Sequence, residues 1–523
     1  MRNQKLRSPD DLDGLQSYSV ACDDPSLGKA PYIAAKNVFY PDQKELDSVE
    51  AYIRKYVWGG LQQTDKEPYP YGIYGIPNWQ VLRDSPKDDR TGKKHLWRIY
   101  DYPHVILLYY NMYLIAKDHP KMVHYLDQDG YLERAWGTAM AFFTLPKELS
   151  DWSAYPTGTY NELVIPDVIR ALEQNGKKDR ADRLRAHWEN KAKYFINERP
   201  NLWGSEYAFD STGFESTEAL ARYAMERLRD PGGTEFQHAV KPVDAEAFLE
   251  EQMRLNLSCR GMEPAYYWLG SDYRGNAGAS YTLSYMAQMG GWAVQDYALH
   301  FAKDPVPYLR LGYASYLSSW ALLNSGTPES NYGYWYPGKE NDGGAGGGFE
   351  PLALGRAWLG NKLVHGSWWY DGEIDLGFSG ALRTAATVVT DDPIFGLFAY
   401  GGDLKRAQDS VQVVPKDGLR ARFYIVRGAA RVRLVLARDG FAKDQPVTFH
   451  DSLNRISFQI ENRSGDPHAA ALQLHGLPAG TYKVSVDGHA NPAFSIPNGE
   501  SNEVQVPVAI SGANVTITRL LTR

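Results

Sequence analysis

Cysteine is nearly absent from this chain: Cys22 and Cys259 are the only two in 523 residues. So few and so isolated, they exclude a disulfide framework or a cysteine zinc cluster and leave the redox compartment open. Long apolar runs are also lacking. Even the aromatic stretch from Tyr102 to Ile115 is interrupted and falls short of the roughly 20 apolar residues that span a bilayer. There is no excess of positive charge either. With 56 Lys and Arg against 63 Asp and Glu, the net charge is -7, and the basic residues are scattered. No stripe exists to neutralise a phosphate backbone, so neither nucleic acid nor a membrane is expected as a partner. The opening MRNQKLRSPDDLDGLQSYS has basic residues but no apolar h-region. It does not read as a secretory signal, and it reads equally well as the interior of a longer precursor.

Cofactor motifs are missing as well. No HExxH and no acid-supported histidine pair at i, i+4 occurs, so no zinc is expected. The glycine-rich NDGGAGGGFE of 341–350 lacks the Lys and Ser/Thr of a phosphate loop. Asp127, Asp129 and Gly130 in LDQDGYLE fall short of a calcium loop and read as turn chemistry. No metal or other cofactor is expected.

What the chain has is aromatic residues: 14 Trp, 36 Tyr and 18 Phe, 13% of the whole. Rings serve cores first. Many here, however, stand beside Gly, Asn, Asp and Glu in turn-like segments such as PYPYGIYGIPNW and NYGYWYPG. A site that stacks sugar C–H faces on rings and hydrogen-bonds the hydroxyls with carboxylates and amides has this composition.

Residues 1–42 read as an N-terminal extended segment or linker. From 43 to 402 the periodicity is helical, with about ten to twelve helices in short succession. In 178–196, Ala181, Leu184, Trp188, Ala192 and Phe195 form one apolar face and the charges take the other. Segment 306–323 is a second amphipathic helix, ended by Gly326 and Pro328. Segments 103–117, 215–228 and 279–301 are small or apolar on most sides, as enclosed helices are, and 131–143, 163–174 and 244–257 complete the series. After about residue 400 the period becomes two, in LRARFYIVRG, ARVRLVLARDG, NRISFQIEN and TYKVSVDG, and 403–523 reads as an antiparallel β-sandwich. The expected architecture is mainly α with a β domain: an (α/α)6-type toroid followed by a C-terminal sandwich. A superhelical repeat array competes with the toroid, but no fixed sequence period supports it.

Seven polar, aromatic loops stand immediately before candidate inner helices: 97–104, 155–162, 207–217, 259–268, 270–280, 334–350 and 368–380. In a toroid they would meet on one rim. Helix caps account for some of their acids, and Ser216 is a plausible cap; caps do not call for Tyr, Trp and Arg at the same places. Glycosidic cleavage needs an acid and a second carboxylate. Glu263, beside Tyr266, Tyr267 and Trp268, is the expected general acid, Glu215 its partner and Asp101 the reserve. Tyr102, His104, Tyr160, Asn161, Glu162, Trp268, Asp272, Arg274, Tyr334 and Trp335 are the expected substrate-binding residues. A rival set for β-elimination from a uronic acid also exists, in Tyr160, Asn161, His104, Tyr281 and Arg274.

The order YDYPH, TGTYNE, FDSTGFEST and GMEPAYYW before helices, with a sandwich after, resembles the six-hairpin (α/α) toroid glycosidases, and within them an uncharacterised bacterial and fungal family. The resemblance covers about residues 30–520. It implies a glycoside hydrolase acting on an oligo- or polysaccharide, secreted or periplasmic. It also implies an N-terminal β-domain that is missing here, as in a truncated or divided form. It transfers no catalytic pair. A polysaccharide lyase, a glycan-binding protein without chemistry and a scaffolding helical array remain the alternatives.

Overall fold

The computed structural model describes residues 27–76, 79–198, 202–205, 213–230, 234–259, 284–322, 333–337, 342–346, 352–356, 362–365, 378–490, 493–496 and 501–520. The chain divides into two compact units. The first contains Met1–Ala35, Asp42–Val294 and Ala314–Ala381; the second contains Lys36–Pro41, Gln295–Tyr313 and Leu382–Arg523. Among the described residues, the first is helical apart from four short strands, and the second is dominated by β-sheet. No described helix is long and apolar enough to cross a membrane.

The described α-helices are α1 (Lys29–Phe39), α2 (Gln43–Tyr52), α3 (Trp79–Arg83), α4 (Asp101–Asp118), α5 (Gln128–Ser150), α6 (Ile165–Gln174), α7 (Lys178–Lys193), α8 (Phe214–Arg227), α9 (Glu235–Ala239), α10 (Pro242–Cys259), α11 (Ser284–His300) and α12 (Val306–Leu322). Helix α1 lies where an extended segment is expected from the sequence. Its buried Pro31, Ala34 and Val38 recur every three to four residues, which is a helical stripe. Asp42 caps α2 by accepting from Glu45 N at 3.0 Å, and Asp127 caps α5 by accepting from Gly130 N at 2.8 Å. The LDQDG segment is thus the start of a helix. Ser216 is not a cap: α8 begins at Phe214 and encloses it.

In the first unit α4 packs on α5, α6 on α7 and α8 on α10. Helix α4 is buried along most of its length, from Asp101 and Tyr102 to Ile115 and Ala116. A helix so enclosed must carry its own polar partners. Tyr109 Oη donates to Gln62 Oε1 at 2.8 Å, and Gln62 Nε2 donates to Thr138 Oγ1 on α5 at 2.8 Å. Gly137 is obligatory beside them, because a Cβ there would lie 2.3 Å from the Tyr71 ring. The helical run is interrupted by two antiparallel pairs, the first largely on the expected loop 334–350 and the second where helical periodicity is expected. Strand β1 (Gly333–Pro337) pairs with β2 (Asp342–Gly346), and β3 (Leu352–Arg356) with β4 (Lys362–His365).

The second unit is a sandwich of two sheets. One has six strands, in the order β18 (Ser501–Val508), β14 (His468–His475), β10 (Ala430–Leu436), β9 (Arg422–Arg427), β5 (Thr387–Asp392) and β6 (Gly396–Tyr400). The other runs β16 (His489–Ala490), β15 (Gly480–Val486), β19 (Ala513–Leu520), β13 (Arg455–Glu461), β12 (Val447–His450), β8 (Ser410–Pro415) and β7 (Gly402–Arg406), with β11 (Gly440–Phe441) on β13 and β17 (Phe494–Ile496) on β15. Pairing is antiparallel except between β5 and β9. Alternate residues of both sheets, among them Val432, Leu434, Leu472, Ile456, Phe458 and Ile517, share one core. The outer face of the six-stranded sheet is covered too. Ala298, Leu299 and Leu309 pack there against Val388, Tyr400, Tyr424 and Val426.

Candidate functional site

The loops 97–104 and 155–162 and the described end of a third, 213–217, lie together in the helical unit. Both α4 and α8 pack against the short turn Glu162–Val164 that leads into α6, so the beginnings of three elements meet. Asp101 and His104 stand in the first turn of α4, three residues apart and therefore on one face. Glu215 and Glu218 stand in the same relation at the start of α8. Asp101, His104 and Glu215 have no exposed surface. A carboxylate in a first helical turn sits at the positive end of the peptide dipoles, which offsets part of its desolvation.

The loop before Glu162 is tied down from several sides. Asn161 adopts the left-handed conformation at φ 61°, which asparagine tolerates better than other non-glycine residues. Its Nδ2 donates to His104 Nδ1 at 2.9 Å. Gly158 N donates to Gly204 O at 2.7 Å, and a Cβ on Gly158 would come within 2.6 Å of that oxygen. Glu162 Oε1 accepts from Thr159 N at 3.2 Å and from the Ser216 hydroxyl, and its Oε2 accepts from Lys191 Nζ at 2.6 Å. Lys191 also donates to Thr157 O at 2.7 Å. Burial pulls the Lys191 pKa down, and the Glu162 carboxylate offsets part of that shift.

An aromatic series runs inward to the same place. Helix α5 ends at Asp151 in the left-handed conformation, and Trp152 follows it. The half-exposed rings of Trp97 and Trp152 lie 5.6 Å apart, Trp152 meets Tyr100 edge-on at 5.9 Å, Tyr100 meets Tyr160 at 5.6 Å, and Tyr160 stacks on His104 at 5.9 Å. Arg98 lies over Tyr100, 5.6 Å from its centre, and its Nε is 3.9 Å from Asp101 Oδ1. Gly75 closes over this pair, since a Cβ there would be 2.7 Å from Asp101 Oδ2.

Asp101, His104, Tyr160, Asn161, Glu162 and Glu215 therefore share one neighbourhood. Glu162, expected at the substrate, has both oxygens engaged by the protein itself. Tyr102, expected beside it, is wholly enclosed. Its hydroxyl donates to Leu96 O and accepts from Ile73 N, and burial pushes its pKa far above the usual tyrosine value. Glu263, Trp268, Asp272, Arg274 and Tyr281 lie outside the described residues, and the side chains of Tyr334 and Trp335 on β1 do also. Trp97, Trp152 and Lys191 were not singled out from the sequence, and Ser216 only as a helix cap. For Lys191 the signal existed: it falls three residues after Trp188 and four before Phe195, on the apolar stripe of α7.

No curated protein matches the chain. Among solved structures, a GH127 β-L-arabinofuranosidase from Geobacillus stearothermophilus T6 is similar over 99% of this chain and 76% of its own, at 9% identity and a TM-score of 0.38. A family model matches residues 25–227 and 367–508, about two thirds of the sequence, and by that match the chain belongs to the family described as "Family of unknown function (DUF5695)".

Proposed function

We propose that this protein is a glycoside hydrolase that cleaves an oligo- or polysaccharide with paired carboxylates at one rim of an (α/α) toroid. The observation that carries the reading is that α4 and α8, whose first turns hold the unexposed carboxylates Asp101 and Glu215, both pack on the Glu162–Val164 turn, with a ladder of rings leading in from half-exposed Trp97 and Trp152. Glycosidic cleavage requires one protonated acid at the leaving oxygen and one carboxylate across the bond. Burial favours the protonated form of a carboxyl, which suits the acid. Glu263 belongs to the proposal as general acid, with Trp268, Asp272, Arg274, Tyr334 and Trp335 as binding residues, on their sequence context alone.

A second reading has its own observation. His104 held by Asn161 at 2.9 Å and stacked on Tyr160 is a set that suits a lyase, in which a ring nitrogen or phenol removes a proton beside a uronate carboxylate. One experiment separates the two. The protein is incubated with a panel of neutral and uronate-containing polysaccharides, and products are followed by mass and by near-ultraviolet absorbance. Hydrolysis adds water and yields no chromophore; elimination yields an unsaturated, absorbing end. If no glycan is cut, both readings fail.

A further inference from the structure

The outer end of the aromatic ladder carries cationic groups built into an ordered turn. Residues 84–95 form it: Lys93 N donates to Lys87 O at 3.0 Å, Lys94 N to Asp89 O at 3.1 Å, and Asp89 accepts from Thr91 N at 2.9 Å. This turn presents exposed Arg90 to Trp97. The indole Nε1 donates to Arg90 O at 3.0 Å, and the Arg90 guanidinium lies over the indole, 4.9 Å from its centre. Asp89 is engaged with Thr91, and Asp88 with Lys94 at 3.5 Å. Among the described residues no carboxylate lies within ion-pair distance of Arg90. His95 meets the same indole at 5.1 Å, and Arg98 lies over Tyr100 one step further in.

A guanidinium carries its N–H donors in its own plane, and that fork fits a carboxylate with two parallel hydrogen bonds. The neighbouring indoles offer apolar planes for a sugar ring. We propose that Arg90, Trp97 and Trp152 form an outer binding subsite for an acidic sugar residue, so that the glycan bound is a polyuronate or another carboxylated polysaccharide. This rests on the glycan-cleaving reading above and gives that site its substrate class. A neutral glycan would use the indoles and leave the guanidinium idle.

The test compares sodium polygalacturonate and alginate with the same polymers after carboxyl reduction, by affinity electrophoresis and by turnover, for the wild type, Arg90→Gln and Trp97→Ala. Thermal unfolding checks that each variant is folded. Arg90→Gln changes an exposed side chain and tests the charge even where Trp97→Ala fails to fold. The expected result is binding of at least one polyuronate, at least tenfold weaker binding of its reduced form, and a similar loss in Arg90→Gln that 0.5 M salt reproduces in the wild type. Equal binding of native and reduced polymers, no binding of either, or an unchanged Arg90→Gln overturns the subsite. Binding that depends on Arg90 without any cleavage would keep the subsite and sink the hydrolase. Cleavage of reduced polymers as fast as of native ones would do the reverse.

Discussion

Lys191 and Glu162 face each other at 2.6 Å with neither side chain exposed. Their pair joins α7 to the turn that starts α6, and Ser216 joins that turn to α8. Breaking a buried pair from one side leaves an uncompensated charge in the interior, which costs about 3–5 kcal/mol. Lys191→Met should therefore lower unfolding stability by that amount. Lys191→Met with Glu162→Gln should lose less than Lys191→Met alone, because no charge is stranded. Urea unfolding of the single and double variants measures both. A single variant as stable as the wild type would show that the pair does not hold the site.

Asn161 supplies a backbone and a side chain at once, and substitutions separate them. Asn161→Gly keeps the left-handed conformation at little cost, whereas Asn161→Ala should cost a further 1–2 kcal/mol or so. Both remove the bond to His104. The imidazole resonances of His104, read by NMR at one pH, should be displaced alike in the two variants. Their melting temperatures should differ, with the alanine form lower.

Turnover on any cleaved glycan should fall about 10²–10⁴-fold in Asp101→Asn and in Glu215→Gln if these carboxylates move protons. The near-isosteric changes leave volume in place, so circular dichroism should be unaltered. A loss confined to KM would assign the residue to binding instead.

The second unit offers a pH prediction. Arg310 forks onto Asp392 at 2.8 and 3.0 Å, and Tyr400 Oη adds a bond at 2.5 Å. Hydrogen bonds from Arg310, the largest cause, hold the Asp392 carboxyl well below the usual carboxylate range. A depressed folded pKa gives stability that is present above the unfolded value, about 3.9, and is lost as pH falls through the folded one. Arg310→Ala should cost about 1–3 kcal/mol near neutral pH. The stability gap between wild type and Asp392→Asn should narrow as pH drops below about 4. A gap independent of pH would place the contribution in shape rather than charge.

Helix type and order are readable because the periodicity is strong: α6, α7, α11 and α12 lie within segments read as helical, and α4, α5, α8 and α10 overrun theirs by one to seven residues. Helix α1 was missed because its stripe is short and built from Pro31, Ala34 and Val38, which contribute little apolar signal. The strands from 333 to 365 were missed because Gly residues break the alternation that marks a strand. At the site, the acids of α4 and α8 stood out by their aromatic and turn-like context. Lys191 did not, because a charged side chain is read as solvated even where its position puts it inside. Glu162 was read as a ligand group because its partners lie at sequence distances of 29 and 54, which no local pattern reveals. Trp97 and Trp152 meet across 55 positions of sequence, which no local pattern reveals either.

The sandwich closes with pieces from far up the chain. Tyr40 Oη donates to Gly418 O at 2.8 Å across 378 positions, the Arg463 guanidinium lies 3.8 Å from the Tyr40 ring centre, and Gln295–Tyr313 belong to the same unit. During synthesis these early pieces have no partner until the last strands leave the ribosome. A fragment beginning at residue 382 would present Val388, Tyr400, Tyr424 and Val426 to water and aggregate. Gene fragments meant to yield a well-behaved β-lobe therefore need 36–41 and 295–313 grafted on or supplied in trans.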